Sequence, residues 1–209
     1  MSKTVTRTYW PKIALGLVIF TILYNIVEAG FAVSFGFEAE SISLVGFGFD
    51  SLIEVSAACM IFWRLTQEFA HVSACQLEAN ERFVRRFVGA TFILLAVYVM
   101  YQSIMDLWLQ TRPSASILGL ILAMLSLSIM PLLAWGKMKA AHHIGSKALR
   151  LEAKETIACS LLSFILLAGL SLNALFGWWW ADPVAGMIMV PWLIKEGREG
   201  LRGKSCCGD

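Results

Sequence analysis

Asp50 and Glu54 stand four residues apart in GFGFDSLIEVSAACM, residues 46–60, a stretch that is otherwise apolar. Four residues is about one helical turn, so both carboxylates fall on one face of a helix. Near the centre of a bilayer each charged acid costs about 2.5–3.5 kcal/mol on insertion scales. The pair must therefore be protonated, matched by a cation, or turned toward a wet cavity. Similar residues recur elsewhere. Thr21, Tyr24, Asn25 and Glu28 form a polar stripe at helical spacing. In LEAKETIACSLLS, residues 151–163, Glu152, Glu155, Cys159 and Ser163 follow one face at steps of three and four, with Lys154 off that face.

Carboxylates and a thiol on neighbouring helices suit a divalent cation. Oxygen with thiolate sulfur favours Zn²⁺ or a similar first-row metal, whereas an all-oxygen set leans to Mn²⁺ or Mg²⁺. No Lys or Arg lies well inside an apolar run. Acids without a fixed counter-charge are what a site looks like when its cation is the ligand. Asp50, Glu54, Glu155 and Cys159 make up the candidate ligand set, with Glu28 and Glu152 as further members. Plainer roles also fit some of them. Glu28 suits a protonated hydrogen bond between helices, Glu152 and Glu155 suit interfacial acids, and Cys159 suits packing. His71, His142 and His143 fall in polar connections and read as surface histidines.

These residues need membrane-spanning elements to hold them. The 209-residue chain is 58% hydrophobic and only 15% charged, against about a quarter charged in soluble domains. Apolar runs of about 20 residues occur at 12–34, 41–63, 84–108, 115–136, 150–175 and 181–197. An all-α bundle of six transmembrane helices follows. The N-terminal run is too long for a signal peptide and has no clean cleavage site. The last two runs are joined by FGWWWAD, an aromatic belt at an interface, and Pro183 suits the first turn of the last helix. The 65–83 connection is polar and reads as partly helical. Gly30, Gly46, Gly48 and Gly169 would allow close helix contacts.

Lys and Arg alternate between connections. They precede the first run, lie in the second-to-third and fourth-to-fifth connections, and follow the sixth, while the other three connections hold only Arg112. The positive-inside rule then puts both termini in the cytoplasm. Residues 1–11 form a cytoplasmic segment, 12–197 the membrane domain, and 198–209 a short tail. The five cysteines include no CxxC pair and show no disulfide framework. Cys206 and Cys207, in that tail, suit either a soft metal or disorder. No basic stripe points to nucleic acid. HExxH, GxSxG and a membrane histidine to act as a base are all missing, so an enzyme is not expected.

On these residues the chain resembles the cation diffusion facilitator (cation efflux) family. SISLVGFGFDSLIEVSAA, residues 41–58, is similar to the family's second helix, with Asp50 and Glu54 in the Asp-x-x-x-Asp places. The family's fifth helix carries Ala-Asp-Ala-x-His and an acid one turn later. Here the matching residues are Glu152, Glu155 and Cys159, so Glu and Cys replace the usual His and acid. WWADPVAG, with Asp182 and Pro183, is similar to the start of the last helix. The usual C-terminal cytoplasmic domain has no counterpart, as in a short branch similar to the vertebrate transmembrane protein 163 group.

The resemblance implies a homodimer that exports divalent cations, Zn²⁺ first among them, in exchange for protons, with no prosthetic group. The expected partners are the metal ion, protons and the lipid bilayer, and the expected place is a bacterial inner membrane. Metal and proton compete for the same carboxylate oxygens, which by itself favours such exchange. The competing reading is a membrane subunit that binds metal and regulates without moving it.

Overall fold

The computed structural model describes residues 2–38, 42–70, 72–110 and 117–202. Ser41, His71, Arg112 and the Cys206–Cys207 tail lie outside the described residues. Six helices follow one another: α1 Ser2–Glu38, α2 Ile42–Thr66, α3 Ala74–Leu109, α4 Ile117–Ile144, α5 Lys147–Phe176 and α6 Ala181–Leu201. Each contains one of the six apolar runs or most of it, and no strand occurs among the described residues. The first five are long and apolar enough to cross a membrane. At 21 residues α6 has the length, about 31 Å at 1.5 Å per residue. Asp182 near its start and Lys195, Glu196, Arg198 and Glu199 near its end keep it out of the apolar group. The expected helical part of the 65–83 connection is the first part of α3, which begins at Ala74.

The bundle is apolar outside and partly polar inside. Leu23, Val27 and Phe31 on α1, Leu94, Val97 and Tyr101 on α3, and Leu132 and Trp135 on α4 all face outward. A belt of that size needs lipid or a partner against it. The interior holds small and polar side chains instead: Ala14, Ala57, Ala58, Thr21, Asn25, Ser51 and Ser126. In lipid, close backbone approach and interhelical hydrogen bonds stand in for the hydrophobic effect. The closest pairings are α1 with α2, α3 with α6 and α4 with α5, and α5 touches α2, α3, α4 and α6. It is the central helix, and it carries the largest share of the candidate ligands.

Two junctions fix the helices at the end bearing the α2–α3 and α4–α5 connections. Glu81 of α3 accepts hydrogen bonds from Ser146 Oγ at 2.9 Å and from the Ala148 N–H at 2.8 Å. Arg64 of α2 pairs with the same carboxylate and reaches Glu68 at 2.6 Å. One acid thus ties α2 and α3 to the beginning of α5. Ser146 also caps that helix, accepting from the Leu149 N–H at 3.1 Å. It follows Gly145, whose φ of 78° lets α4 turn back in two residues.

The second junction joins α3 to α6. A Cβ on Gly89 would stand 2.9 Å from the Gly197 carbonyl oxygen and 3.0 Å from Gly200 C. Gly46 and Gly169 also sit in close contact, against Tyr98 and Asp182, and Gly48 against Val33. The expectation fails at Gly30, which faces open space because it lies on the outward side of α1.

Overpacking a tight contact costs about 1–3 kcal/mol. Gly89→Leu should therefore lower the thermal midpoint of the detergent-purified protein by several degrees, while Gly30→Leu leaves it unchanged. Equal midpoints for the two variants would dismiss the glycine contact as a determinant of the α3–α6 pair.

Candidate metal centre

The face of α2 that carries Asp50 and Glu54 turns inward, leaving the two acids 5% and 1% exposed. Glu152, Glu155 and Cys159 of α5 meet them, at 0%, 2% and 1% exposed. Glu28 of α1 is buried beside them. All six candidates therefore lie in one interior region. Glu155 is within Coulombic reach of Glu54, Glu152 and Asp50, and Glu28 of Glu54 and Asp50.

Their hydrogen bonds sort these acids. Glu28 is occupied on both oxygens: Tyr24 OH donates to Oε1 at 3.2 Å and Ser51 Oγ lies 2.9 Å from Oε2. That is the interhelical role of a buried carboxyl, joining α1 to α2. Asp50 meets the Cys159 thiol through one oxygen, and its Oδ2 has no partner. Glu54 accepts from Thr156 Oγ1 at 2.6 Å on Oε1, while Oε2 has none. Neither Glu155 oxygen has a hydrogen bond. Its neighbour Thr91 gives its proton to the Val88 carbonyl instead, at 2.7 Å. Glu152 has one bonded oxygen, on Lys137, and an unpartnered Oε2. Buried polar atoms are almost always paired, so the orphan oxygens on Asp50, Glu54, Glu152 and Glu155 leave room for an electropositive partner. Among the described residues, no three His, Cys, Asp or Glu side chains converge closely enough to cage an ion as they stand.

One expectation is overturned. The acids do have a fixed counter-charge: Lys137 is wholly buried, with Nζ 2.5 Å from Glu152 Oε1 and 2.8 Å from Thr156 Oγ1. Its Nζ lies 3.9 Å from Glu54 Oε1. The apolar run ends at Gly136, but the helix does not, so Lys137 remains on the packed side of α4. Long lysine side chains commonly reach back along a helix. A signal was there to read. Met130, Ala134, Lys137 and Ala141 recur at steps of four, three and four, and all are buried. Lys154 does face away from the acids, pairing with Glu196 of α6 at 2.5 Å.

A cavity of about 100 Å³ adjoins the acids, with Asp50 in its wall. Tyr98, Ser103 and Asp106 of α3 and Asp182 and Gly186 of α6 also line it. It extends toward the end of the bundle where α3 finishes and α6 begins. Asp106 is bound through both oxygens by Gln102 Nε2, at 3.3 and 3.2 Å, and lies within Coulombic reach of Asp182. Asp106 is not among the candidates read from sequence, because its surroundings, SIMDLWL, resemble an ordinary helix end. Among the described residues the histidines stay apart from the site: both His142 and His143 are exposed, and His143 stacks on Trp10 with ring centroids 4.0 Å apart.

The family model for the cation efflux transmembrane domain matches residues 18–203. No curated protein matches the chain.

Burial separates the cysteines chemically. Cys75 is exposed at the start of α3, whereas Cys159 is enclosed beside Asp50. In a variant that keeps only these two cysteines, a hydrophilic maleimide should label Cys75 under native conditions and Cys159 only after denaturation in SDS. Two labels on the native protein would open the site to water in a way this packing does not allow.

Proposed function

The chain belongs to the cation efflux family, whose members carry metal cations across membranes, and on that premise we propose that it is a proton-coupled exporter of Zn²⁺ or a similar first-row metal. The observation that carries this reading is the set of unpartnered carboxylate oxygens on Asp50, Glu54 and Glu155, buried on two touching helices. With the Cys159 sulfur beside Asp50, they offer the mixed oxygen and thiolate donors that suit Zn²⁺. Glu28 stands behind them as a support held by Tyr24 and Ser51.

The metal is the substrate, and the residues supply its changing affinity. Deprotonated carboxylates bind a divalent ion and protonated ones release it. Loading takes place from the side of higher pH, and release follows on the more acidic side as protons take the oxygens. The cavity between Asp50 and the Asp106–Asp182 end supports a path for one of these exchanges. Rocking of the helix pairs around a midplane site would give access to each side in turn. The family resemblance adds a homodimer in a bacterial inner membrane, and the Lys and Arg alternation adds cytoplasmic termini.

Two measurements test the reading. Zn²⁺ uptake into proteoliposomes should quicken when the lumen is made acidic, and Asp50→Ala should abolish it in protein that still inserts and folds. Full flux from a folded Asp50→Ala/Glu54→Ala protein would remove the site from the mechanism. If the folded wild type binds Zn²⁺ without moving any divalent metal, the chain is the metal-responsive subunit instead. Because thiolate favours soft ions, Cys159→Asp should lower the Zn²⁺ to Mn²⁺ flux ratio by about tenfold. An unchanged ratio would leave Cys159 as packing.

A further inference from the structure

We propose that Lys137 is a tethered cation that competes with the metal for Glu54, and that Glu152 is its holder rather than a metal ligand. This rests on reading the acids as a cation site. Lys137 comes from α4, Glu152 and Thr156 from α5, and Glu54 from α2. The ammonium gives one hydrogen bond to Glu152 Oε1 and one to Thr156 Oγ1. The Thr156 hydroxyl in turn donates a hydrogen bond to Glu54 Oε1. A single hydroxyl therefore stands between the lysine charge and the Glu54 carboxylate.

Direct contact is close. Nζ is 3.9 Å from Glu54 Oε1, and closing to about 2.9 Å would make a full hydrogen bond. The opposite oxygen, Oε2, is unpartnered in Glu54 and in Glu152 alike; what separates the two acids is the ammonium, seated on Glu152 Oε1 at 2.5 Å. Lysine and metal would thus address Glu54 from its two sides, each weakening the other's hold through like-charge repulsion at low dielectric. Glu152 sets the balance. Its charge keeps the ammonium parked about 1 Å short of contact. Without that charge, the nearest carboxylate for Lys137 is Glu54, and the metal loses a ligand.

The proposal assigns opposite signs to two neighbouring residues. Zn²⁺ binding is measured on full-length protein in detergent by competition with a chromophoric chelator. Glu152→Gln should weaken binding about tenfold, because the freed lysine moves onto Glu54. Lys137→Met should tighten it about tenfold. The double variant should bind at least as tightly as wild type. It also replaces the buried pair with neutral side chains of similar volume, a change that folds tolerate well, so it carries the test if Lys137→Met alone misfolds. A double variant as weak as Glu152→Gln would make Glu152 a ligand and overturn the proposal. So would unchanged or weaker binding in folded Lys137→Met, or misfolding of both lysine variants beside a folded Glu152→Gln. Asp50→Ala reads the site separately: wild-type affinity there ends the site reading, while the lysine cycle still decides this one. No Zn²⁺ binding by folded wild type ends both.

Discussion

Carboxyl groups in a medium that cannot solvate them dominate this structure. Lipid offers neither hydrogen bonds nor counter-ions, so every buried acid has to find its partner within the protein. The bundle answers in three ways. Glu28 is hydrogen-bonded on both oxygens, Glu152 is paired with Lys137 through one oxygen, and Asp50, Glu54, Glu155 and the second oxygen of Glu152 keep oxygens without a partner. The small residues inside the bundle serve the same need. Ala57, Ala58, Ala153 and Ala158 surround the acids on α2 and α5 and let those helices approach closely. Larger side chains there would push the donors apart.

The architecture divides accordingly. Packing along α3 and α6 combines glycine contact at Gly89, Gly197 and Gly200 with apolar side chains, Phe92 meeting Trp192 edge to face. Around α1, α2, α4 and α5 polar links add to the apolar packing: Ser51 to Glu28, Thr156 to Glu54 and Lys137 to Glu152. Site chemistry and helix cohesion therefore share bonds in the second group. A change in the charge of any one acid alters how α2, α4 and α5 hold together. Binding and conformation share that physical basis.

Much of this was legible in the sequence because lipid simplifies the code. Six helices follow from apolar runs alone, and Asp50 and Glu54 stand out because so few charges occur inside those runs. Helical spacing on α5 likewise places Glu152, Glu155 and Cys159 together. What stayed hidden depends on side-chain reach and on pairing across helices. Lys137 follows the apolar run by one residue, and only its place between Ala134 and Ala141 hints that it turns inward. Thr156 links Glu54 to Lys137 from an unremarked position between Glu155 and Cys159. Gly89, Gly197 and Gly200 become a contact only once α3 and α6 are known to be neighbours, since nothing local pairs residues that far apart in the chain.

The Glu81 junction has a further consequence, for the order in which the chain assembles. Arg64 and Glu81 lie on consecutive helices and are synthesised long before Ser146. Their pair needs nothing from α4 or α5, so it can form while those helices are still to be synthesised. When the α4–α5 hairpin arrives, its turn meets a carboxylate already oriented by an arginine, ready to accept from Ser146 Oγ and the Ala148 N–H. That docking sets the height and rotation of α5, and hence where Glu155 and Cys159 stand relative to Asp50. The last acids of the cluster are thus aligned through a carboxylate whose own partner lies in the first half of the chain.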